Sequence, residues 1–296
     1  MKTHAPPREV IISVQHLSKI YKVGAERVVA LHNINLDILT GQVICIIGTS
    51  GSGKSTLLNQ LAGLEKPTSG KVLIGGRNIS AFTEDQLARF RQRHIGFIFQ
   101  SYNLMPAMTA LENVQMPLIF RGVSKQARNK AAKRALKEVG LAERMRHKPN
   151  QMSGGQQQRV GIARAFVAMP RIIFADEPTG NLDTRTTIEV MRMMVRMSRE
   201  NNQTLVIVTH DREIAEYADR IVTIRDGVLI EDKLNKSLAD RPEDEQAMLE
   251  RETDPVRQQE PQGETGATPS SPEQEKATSE LEEYSPEDMR EQRSGQ

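Results

Sequence analysis

The chain has 296 residues, 38% of them hydrophobic, which is enough for one or two domains with a buried core. Its single cysteine, Cys45, excludes a disulfide framework or a multi-cysteine zinc module and suits a reducing compartment such as the cytoplasm. The sequence has no signal-peptide pattern, and no apolar run approaches the roughly 18 residues that cross a bilayer, so the chain is not expected to span a membrane itself.

The net charge of +2 conceals an asymmetry along the chain. Residues 243–296 carry 16 acidic and 5 basic side chains, a net charge of −11, which leaves +13 for the rest. This acidic segment has five prolines and one aromatic residue, so it cannot bury enough apolar surface to offset its ordering entropy. We predict an N-terminal extension over 1–9, a folded domain over 10–240 and a disordered tail over 241–296.

Apolar and polar residues alternate from Val10 to Leu17 and from Val28 to Ile38, which is typical of half-buried antiparallel strands. Short continuous apolar runs then recur, as in strands buried on both faces of a parallel sheet. Stretches long enough for helices separate these runs, which indicates an α/β fold. The runs are Val43–Ile47, Ile95–Phe99, Ile172–Ala175 and Leu205–Val208.

The middle of the chain, about 101–168, has no such run and is predicted to be a helical insert. Within it, the stretch from Ser124 to Val139 repeats apolar residues four apart, as one face of a helix would. That face consists of Ala127, Ala131, Ala135 and Val139.

The same predicted helix is strongly basic. Its charges are typical of a solvated helix face, and a second interpretation is contact with anionic lipid headgroups. Nucleic-acid binding is disfavoured because only 4% of the residues are aromatic, which leaves no stacking platform. The basic residues are Lys125, Arg128, Lys130, Lys133, Arg134 and Lys137.

A glycine-rich segment after the first buried run matches the phosphate-binding pattern GxxxxGK[ST] and precedes a helix-like stretch. Its glycines let the backbone wrap around phosphates, so that N–H groups and a helix N-terminus point at negative charge. Lys54 is predicted to reach the β- and γ-phosphates of a nucleotide, and Ser55 to bind Mg²⁺. The segment, here called the phosphate loop, consists of Gly48, Thr49, Ser50, Gly51, Ser52, Gly53, Lys54, Ser55 and Thr56.

Asp176 and Glu177 follow the third buried run, at the edge where open parallel sheets bind ligands. Asp176 is predicted to hold Mg²⁺, usually through water, and Glu177 to polarise the attacking water as general base. The alternative is a solvated acidic turn that caps a helix. The phosphate loop upstream favours the catalytic interpretation.

Residues 152–156 read MSGGQ and are followed by QQRVGIARA, a serine- and glycine-rich loop that opens a helix. This segment resembles the LSGGQ signature of the nucleotide-binding subunits of ATP-binding cassette (ABC) transporters, with methionine in place of leucine. The resemblance covers roughly residues 10–235. It implies a P-loop NTPase (RecA-like) core, an antiparallel β subdomain and a helical subdomain that carries the signature.

The family resemblance also implies an ATPase that uses ATP and Mg²⁺ and forms a homodimer when ATP binds. In such a dimer the signature of one subunit closes over the nucleotide held by the phosphate loop of the other. The signature residues are Ser153, Gly154, Gly155 and Gln156.

Four further residues match family positions one by one. Gln100 matches a glutamine that contacts Mg²⁺ and water, and His210 matches a histidine that contacts the γ-phosphate. Tyr21 matches an aromatic residue that stacks on adenine, and Asp183 belongs to a GNLD segment similar to the family's D-loop. From the residues alone, each also fits a structural role, as a strand end, a helix cap or a packing residue.

Several segments resemble the ATPases of the bacterial lipoprotein-release and macrolide-export type, whose relatives include antimicrobial-peptide resistance systems. This resemblance implies a separate membrane permease as partner and a peripheral location on the cytoplasmic face of the membrane. Coupling to the permease is predicted to run through the segment from Gln100 to about Arg121, with Leu104 and Met105 at the contact. The segments are residues 96–105, 109–114, 117–123 and 176–183.

Three other functions are less well supported. Soluble ABC ATPases of DNA repair or ribosomes usually carry two cassettes or a long coiled-coil insert, whereas only 99 positions separate Lys54 from Ser153 here. A regulatory protein without hydrolysis would be favoured by a missing base or signature, yet both are present. A GTPase is disfavoured because the guanine-reading motif NKxD does not occur.

Overall fold

The computed structural model describes residues 9–237, and the predicted tail and the predicted extension apart from Glu9 lie outside them. Within this range the chain forms two sheets and seven α-helices. The strands are β1 Val10–Val23, β2 Glu26–Leu39, β3 Val43–Ile47, β4 Ser69–Ile74, β5 Arg77–Asn78, β6 Ile95–Phe99, β7 Ile172–Asp176, β8 Thr204–Thr209, β9 Arg220–Arg225 and β10 Val228–Leu234. The helices are α1 Lys54–Leu61, α2 Glu84–His94, α3 Ala110–Phe120, α4 Lys125–Glu138, α5 Gly154–Phe166, α6 Thr184–Glu200 and α7 Arg212–Ala215.

The larger sheet has the strand order β10-β9-β3-β8-β7-β6 within 9–237. Its strands from β9 to β6 are parallel, and β10 pairs antiparallel with β9 at one edge. All four apolar runs predicted as buried strands belong to this sheet, with ends that differ from the prediction by at most one residue. Cys45 is fully buried in β3, where burial raises the pKa of its thiol and keeps it protonated.

The smaller sheet has the order β2-β1-β4-β5 and is antiparallel. The two alternating segments predicted as antiparallel strands are confirmed as β1 and β2, both longer than predicted. Together with α1, the smaller sheet covers one face of the larger sheet, where Phe174 is fully buried. Helices α5, α6 and α7 cover the other face, so the larger sheet lies between two layers and the predicted α/β class is confirmed.

Between β6 and β7 the chain forms α3, α4 and α5, in the segment predicted to be helical. Helix α4 begins after Ser124, whose hydroxyl accepts a hydrogen bond from the Ala127 N–H. Its buried residues are Ala132, Ala135 and Leu136, so the row of residues four apart turns from the exposed Ala127 to the buried Ala135. The reason is geometric, because residues four apart advance about 40° around a helix at each step.

None of the helices within residues 9–237 combines the length and the apolar character that a membrane crossing requires.

Candidate functional site

A cleft of about 920 Å³ opens at the carboxyl edge of the larger sheet. The ends of β3, β7 and β8 meet there, because parallel strands deliver their last residues to the same edge. Eleven of the residues predicted from the sequence line this cleft, although they come from positions spread over more than half of the chain. They are Gly48, Thr49, Ser50, Gly51, Gly53, Lys54, Ser55, Thr56, Gln100, Glu177 and His210.

The phosphate loop needs glycine where it passes close to neighbouring backbone. A Cβ at Gly48 would lie 2.2 Å from the carbonyl oxygen of Ile224, which is far inside van der Waals contact. Gly53 has a φ of +101°, and a Cβ there would lie 2.5 Å from the carbonyl oxygen of Ala30. Ser52 is buried beneath the loop, and its carbonyl accepts a hydrogen bond of 3.0 Å from the Gly227 N–H. The loop is therefore packed tightly against the turn between β9 and β10.

The N-terminus of α1 points its positive end at the cleft. Gly53 is the N-cap and has no side chain to accept a hydrogen bond from the first turn. The first turn consists of Lys54, Ser55 and Thr56 and so contains no carboxylate. The ammonium of Lys54 donates to the carbonyl of Thr49 at 2.8 Å and so bridges the loop. N–H groups, helix dipole and ammonium together favour a bound polyanion.

Asp176 ends β7 beside the first turn of α1. The hydroxyl of Ser55 donates to its Oδ1 at 3.4 Å. Burial, followed by the charge of Glu177, raises the pKa of Asp176 above its ordinary value, and the hydrogen bond from Ser55 and the charge of Lys54 only partly oppose this. The ionised carboxylate is therefore less favourable here than in water, and a nearby cation would stabilise it.

The donors beside the cleft fit Mg²⁺ bound together with phosphates. Within residues 9–237, no group of three or more His, Cys, Asp or Glu side chains is placed to hold a metal. Ser55 and Asp176 offer one hydroxyl and one carboxylate, and Gln100 offers an amide. Mg²⁺ typically takes one or two carboxylates and completes its shell with water and substrate phosphates, so this small set is sufficient.

Glu177 is held by two residues at the carboxyl end of β8, the last residue of the strand and the one that follows it. Its Oε1 lies 2.9 Å from Nδ1 of His210, and its Oε2 accepts a hydrogen bond of 3.0 Å from the hydroxyl of Thr209. The backbone N–H of Glu177 donates to the carbonyl of Val208, and its φ of +45° is unusual for a residue with a side chain. This strained turn aims the carboxylate at the cleft instead of continuing the strand.

Gln100 follows β6 and leads into the helical segment. Its carbonyl accepts a hydrogen bond of 3.0 Å from the side chain of Asn181. Its side-chain amide packs over Gly180, where a Cβ would approach Nε2 to 2.8 Å. A second link joins the helical segment to the same turn, since the buried side chain of Gln158 donates to the carbonyl of Pro178.

The signature residues lie outside the cleft, at the N-terminus of α5. Ser153 caps the helix by accepting from the Gln156 N–H, and the side chain of Gln156 accepts from the Ser153 N–H. A Cβ at Gly154 would lie 2.8 Å from the Tyr102 hydroxyl, and one at Gly155 would lie 2.7 Å from the methyl group of Thr186. Both glycines therefore let neighbouring side chains pack against the helix end.

Two further predicted residues also lie outside the cleft. Asp183 caps α6 through the N–H and hydroxyl of Thr186, at 2.9 and 2.7 Å. Tyr21 lies in β1, and its hydroxyl donates to Oε2 of Glu65 at 2.7 Å. The ammonium of Lys19 lies 3.2 Å from the same carboxylate and 5.0 Å from the centre of the Tyr21 ring. Glu65 thereby orients the tyrosine next to the phosphate loop.

Sequence reasoning missed several groups at the site. Val28 and Val29 line the cleft and are about half exposed, but the alternating pattern that predicted β2 does not distinguish them from other strand positions. Thr209, which holds Glu177, could have been noticed as the polar end of an apolar run. Further lining residues are Ala30, Ile47, Arg212, Thr223, Ile224, Arg225 and Ile230.

Comparisons with known proteins agree with this geometry. The ABC transporter family model matches residues 31–180. YknY of Bacillus subtilis, an ABC transporter ATP-binding protein, is 46% identical over 220 residues that span 74% of this chain and 95% of YknY. The macrolide export ATP-binding/permease protein MacB of Bradyrhizobium diazoefficiens is 46% identical over 225 residues, but the chain spans only 34% of its length.

A solved structure shows the same fold. The ATP-binding cassette MJ0796, captured as a dimer in a post-hydrolysis state with ADP and Pi, superposes with a TM-score of 0.72 at 42% identity. The match covers 77% of this chain and all of that one. MJ0796 is a protein of Methanocaldococcus jannaschii.

Proposed function

The chain belongs to the ABC transporter ATP-binding proteins and is an ATPase subunit, and from this premise we propose which residues bind nucleotide, which hydrolyse it and where the permease docks. The observation that carries the proposal is the cleft itself. It brings an uncapped helix N-terminus, Lys54, Glu177 and His210 to one edge of the larger sheet, with Asp176 beside it.

The phosphate loop binds the phosphates of ATP. Its N–H groups and the N-terminus of α1 supply partial positive charge, and Lys54 moves from the carbonyl of Thr49 to the β- and γ-phosphates. Ser55, Asp176 and Gln100 hold Mg²⁺, which neutralises charge on the phosphates when bound. Tyr21, oriented by Glu65, packs on the adenine ring.

Glu177 acts as the general base for the attacking water. Its two hydrogen bonds, to Thr209 and His210, fix the direction of the carboxylate before substrate arrives. His210 is exposed, so its ring can turn from Glu177 towards the γ-phosphate. The side chain of Gln100, which also lines the cleft, orients the same water.

The signature residues complete the site of a second copy. Ser153 and the N-terminus of α5 form another anion-binding surface, which does not line the cleft of its own chain. In a head-to-tail homodimer this surface covers the γ-phosphate that the other copy holds, and Asp183 lies at the same interface. Because ATP is then part of the interface, its binding favours the dimer by mass action.

An apolar groove next to Gln100 is the docking place for the permease. The groove has a volume of about 700 Å³ between α2, β6, α3 and α5. Met105 and Phe120 line it and are 46% and 66% exposed. Leu104, which the sequence also placed at this contact, instead packs half-buried against the core. A short apolar segment of a membrane permease fits this groove, which connects through Gln100 to the cleft.

The partner is a membrane permease of the lipoprotein-release, macrolide-export or antimicrobial-peptide type. The support is the similarity to MacB, whose name joins an ATP-binding part and a permease, and of which this chain spans about a third. The ATPase then lies on the cytoplasmic face of the membrane, held there through its permease.

Replacing Met105 by Asp tests the docking groove. We expect the isolated variant to hydrolyse ATP like the wild type but to lose the permease during affinity purification from solubilised membranes. The control is Val23→Asp, the same replacement at a residue of β1 that is 63% exposed and lies outside the groove. Equal recovery of the permease with wild type and Met105→Asp would contradict docking in this groove.

A further inference from the structure

Four arginines surround His94 next to the groove, since Arg121 donates to the carbonyls of the groove residues Gln92 and Ala168. This cluster, here called the arginine face, consists of Arg77, Arg93, Arg121 and Arg171. The guanidinium of Arg121 donates to the carbonyls of Gln92, Arg93 and Ala168. These bonds join the end of α3 to the end of α2 and to the segment that follows α5. The Arg171 N–H donates to the carbonyl of His94 at 3.1 Å, next to Arg93. The cluster is therefore a built surface at the amino ends of β6 and β7.

The β4–β5 hairpin completes the arginine face. An ideal Cβ on Gly75 would lie 3.3 Å from the guanidinium of Arg171, and Arg77 follows two residues later. Arg77, Arg93 and Arg171 are exposed, whereas Arg121 is half-buried.

The segments that form this surface carry no acidic residue. Residues 75–82, 86–96, 115–123 and 164–172 contain seven arginines and neither Asp nor Glu. Within residues 9–237, the exposed arginines Arg77, Arg93 and Arg171 have no ion-pair partner. An anion from outside the described chain would therefore relieve a repulsion that the fold leaves in place.

The pKa of His94 is also affected by the positive charges of the arginine face. Burial lowers the pKa of its imidazole, and the charges of Arg171, Arg77, Arg121 and Arg93 lower it further. A further positive charge beside the four arginines is thus disfavoured.

Large apolar side chains stand exposed beside these charges. Phe120 is 66% exposed and precedes Arg121, and Met169 is 60% exposed and follows Ala168, whose carbonyl Arg121 holds. Exposed apolar side chains next to unpaired arginines are typical of surfaces that lie at a membrane interface. We propose that the arginine face binds the phosphate-bearing headgroups of anionic lipids, with Met169, which lies outside the groove, reaching towards the acyl boundary.

The basic helix α4 is a weaker candidate for the same contact. Lys130, Lys133 and Lys137 share its exposed face, but α4 has no large exposed apolar side chain. Its Arg134 is neutralised by Glu138 at 2.8 Å. The structure therefore offers α4 as a matched control with the same number of free charges.

The test is flotation of the full-length chain with phosphatidylglycerol vesicles and with phosphatidylcholine vesicles, in the absence of permease. We expect the wild type to bind only the former. Combined replacement of Arg77, Arg93 and Arg171 by Gln is expected to lower the partition coefficient about a hundredfold, since each arginine near an anionic surface contributes about fivefold. The matched triple change of Lys130, Lys133 and Lys137 to Gln is expected to have a much smaller effect.

Several outcomes would overturn the proposal. An equal fall in the partition coefficient of the two triple variants would mean that only net charge matters. A wild-type protein that does not bind phosphatidylglycerol vesicles would exclude anionic lipid as the ligand. Saturable binding of inorganic phosphate that the arginine variant loses would indicate a site for free phosphate instead. Loss of a copurifying membrane protein without any vesicle binding would indicate an acidic protein segment. Basal ATPase activity verifies that every variant is folded, whatever happens to permease docking.

Discussion

The cleft and the signature end of α5 both offer a helix N-terminus to an anion, but only the cleft is a nearly complete site within one chain. Around the cleft, Lys54, Asp176 and Glu177 place charges of both signs within reach of one another. At the signature end, Ser153 and Gln156 hydrogen-bond to each other, and no charged side chain within residues 9–237 bonds to either of them.

The difference follows from how each region is built. Parallel strands bring residues from distant parts of the sequence to one edge, so a sheet can assemble acid, base and cation together. A single helix end has only the few N–H groups of its first turn, so it needs a complement from another surface. The comparison indicates that the signature has its function between chains.

The largest effect is expected from Glu177→Gln, which removes the base but keeps the shape of the cleft. Turnover should fall by about 10²- to 10⁴-fold, while ATP binding persists and a dimer accumulates. Steady-state ATPase assays and sizing chromatography with Mg²⁺-ATP measure the two results. Glu143→Gln, at an exposed carboxylate remote from the cleft, should leave both unchanged. A Glu177→Gln protein with wild-type turnover would contradict the assignment of the base.

Asp176→Asn should separate activity from stability within the cleft. Activity should fall at least about tenfold with the loss of the Mg²⁺ ligand, whereas the protein without nucleotide should unfold at a higher temperature. The reason is that the raised pKa of Asp176 makes its ionised form a cost to the folded state.

The sign of this effect can be checked by pH. When the pKa of a carboxyl is higher in the folded than in the unfolded protein, the free energy of unfolding falls as the carboxyl ionises. This fall begins as the pH rises through the unfolded pKa, about 3.9, and ends above the folded pKa. The difference in Tm between Asp176→Asn and wild type should therefore be largest near neutral pH and disappear in acid. A lower Tm for the variant at neutral pH would contradict the unfavourable environment of Asp176.

Ser153→Arg, introduced together with Glu177→Gln, tests whether the signature works between chains. The dimer should be lost because bulk and charge enter the partner's site, while the monomer still binds ATP. The substitution also removes a helix cap that contributes about 1 kcal/mol. Ser124→Arg removes the equivalent cap of α4 and should keep the dimer. Loss of the dimer in both variants would assign the effect to helix stability.

A smaller effect is expected from Glu65→Gln, at the border of the cleft. Bonds from Tyr21 and Lys19 outweigh the effect of burial and lower the pKa of Glu65, so its carboxylate is ionised and holds the tyrosine ring. We expect the KM for ATP to rise about two- to tenfold with kcat unchanged, as for one lost hydrogen bond. Tyr21→Phe should reproduce this shift. A fall in kcat alone would show that Glu65 does not act through nucleotide binding.

The smallest effect is expected from deleting residues 243–296. Every residue proposed for the cleft or the signature precedes this segment, so ATP turnover of the isolated chain should change by less than tenfold, equivalent to about 1.4 kcal/mol in the barrier. A larger loss in the ATPase assay would mean that the acidic segment contributes to the site.

Short-range patterns in the sequence were sufficient for four of the six strands of the larger sheet, β3, β6, β7 and β8, and for the glycines of the phosphate loop. A continuous apolar run needs burial on both faces, and Gly48 and Gly53 are required wherever backbone approaches closely. The caps at Ser124 and Ser153 are equally local, because both hydroxyls accept from N–H groups only three residues away. Such features are predictable because their partners are neighbours in the chain.

Only the tertiary structure decided which of these pieces meet. The bond between Glu177 and His210, the tie from Gln158 to Pro178 and the valines of β2 that line the cleft join segments far apart in sequence. Which side of α4 is buried also depended on packing, since Ala132 and Leu136 are buried whereas Ala127 is exposed. Contacts of this kind follow from how layers pack, and local propensity carries no information about them.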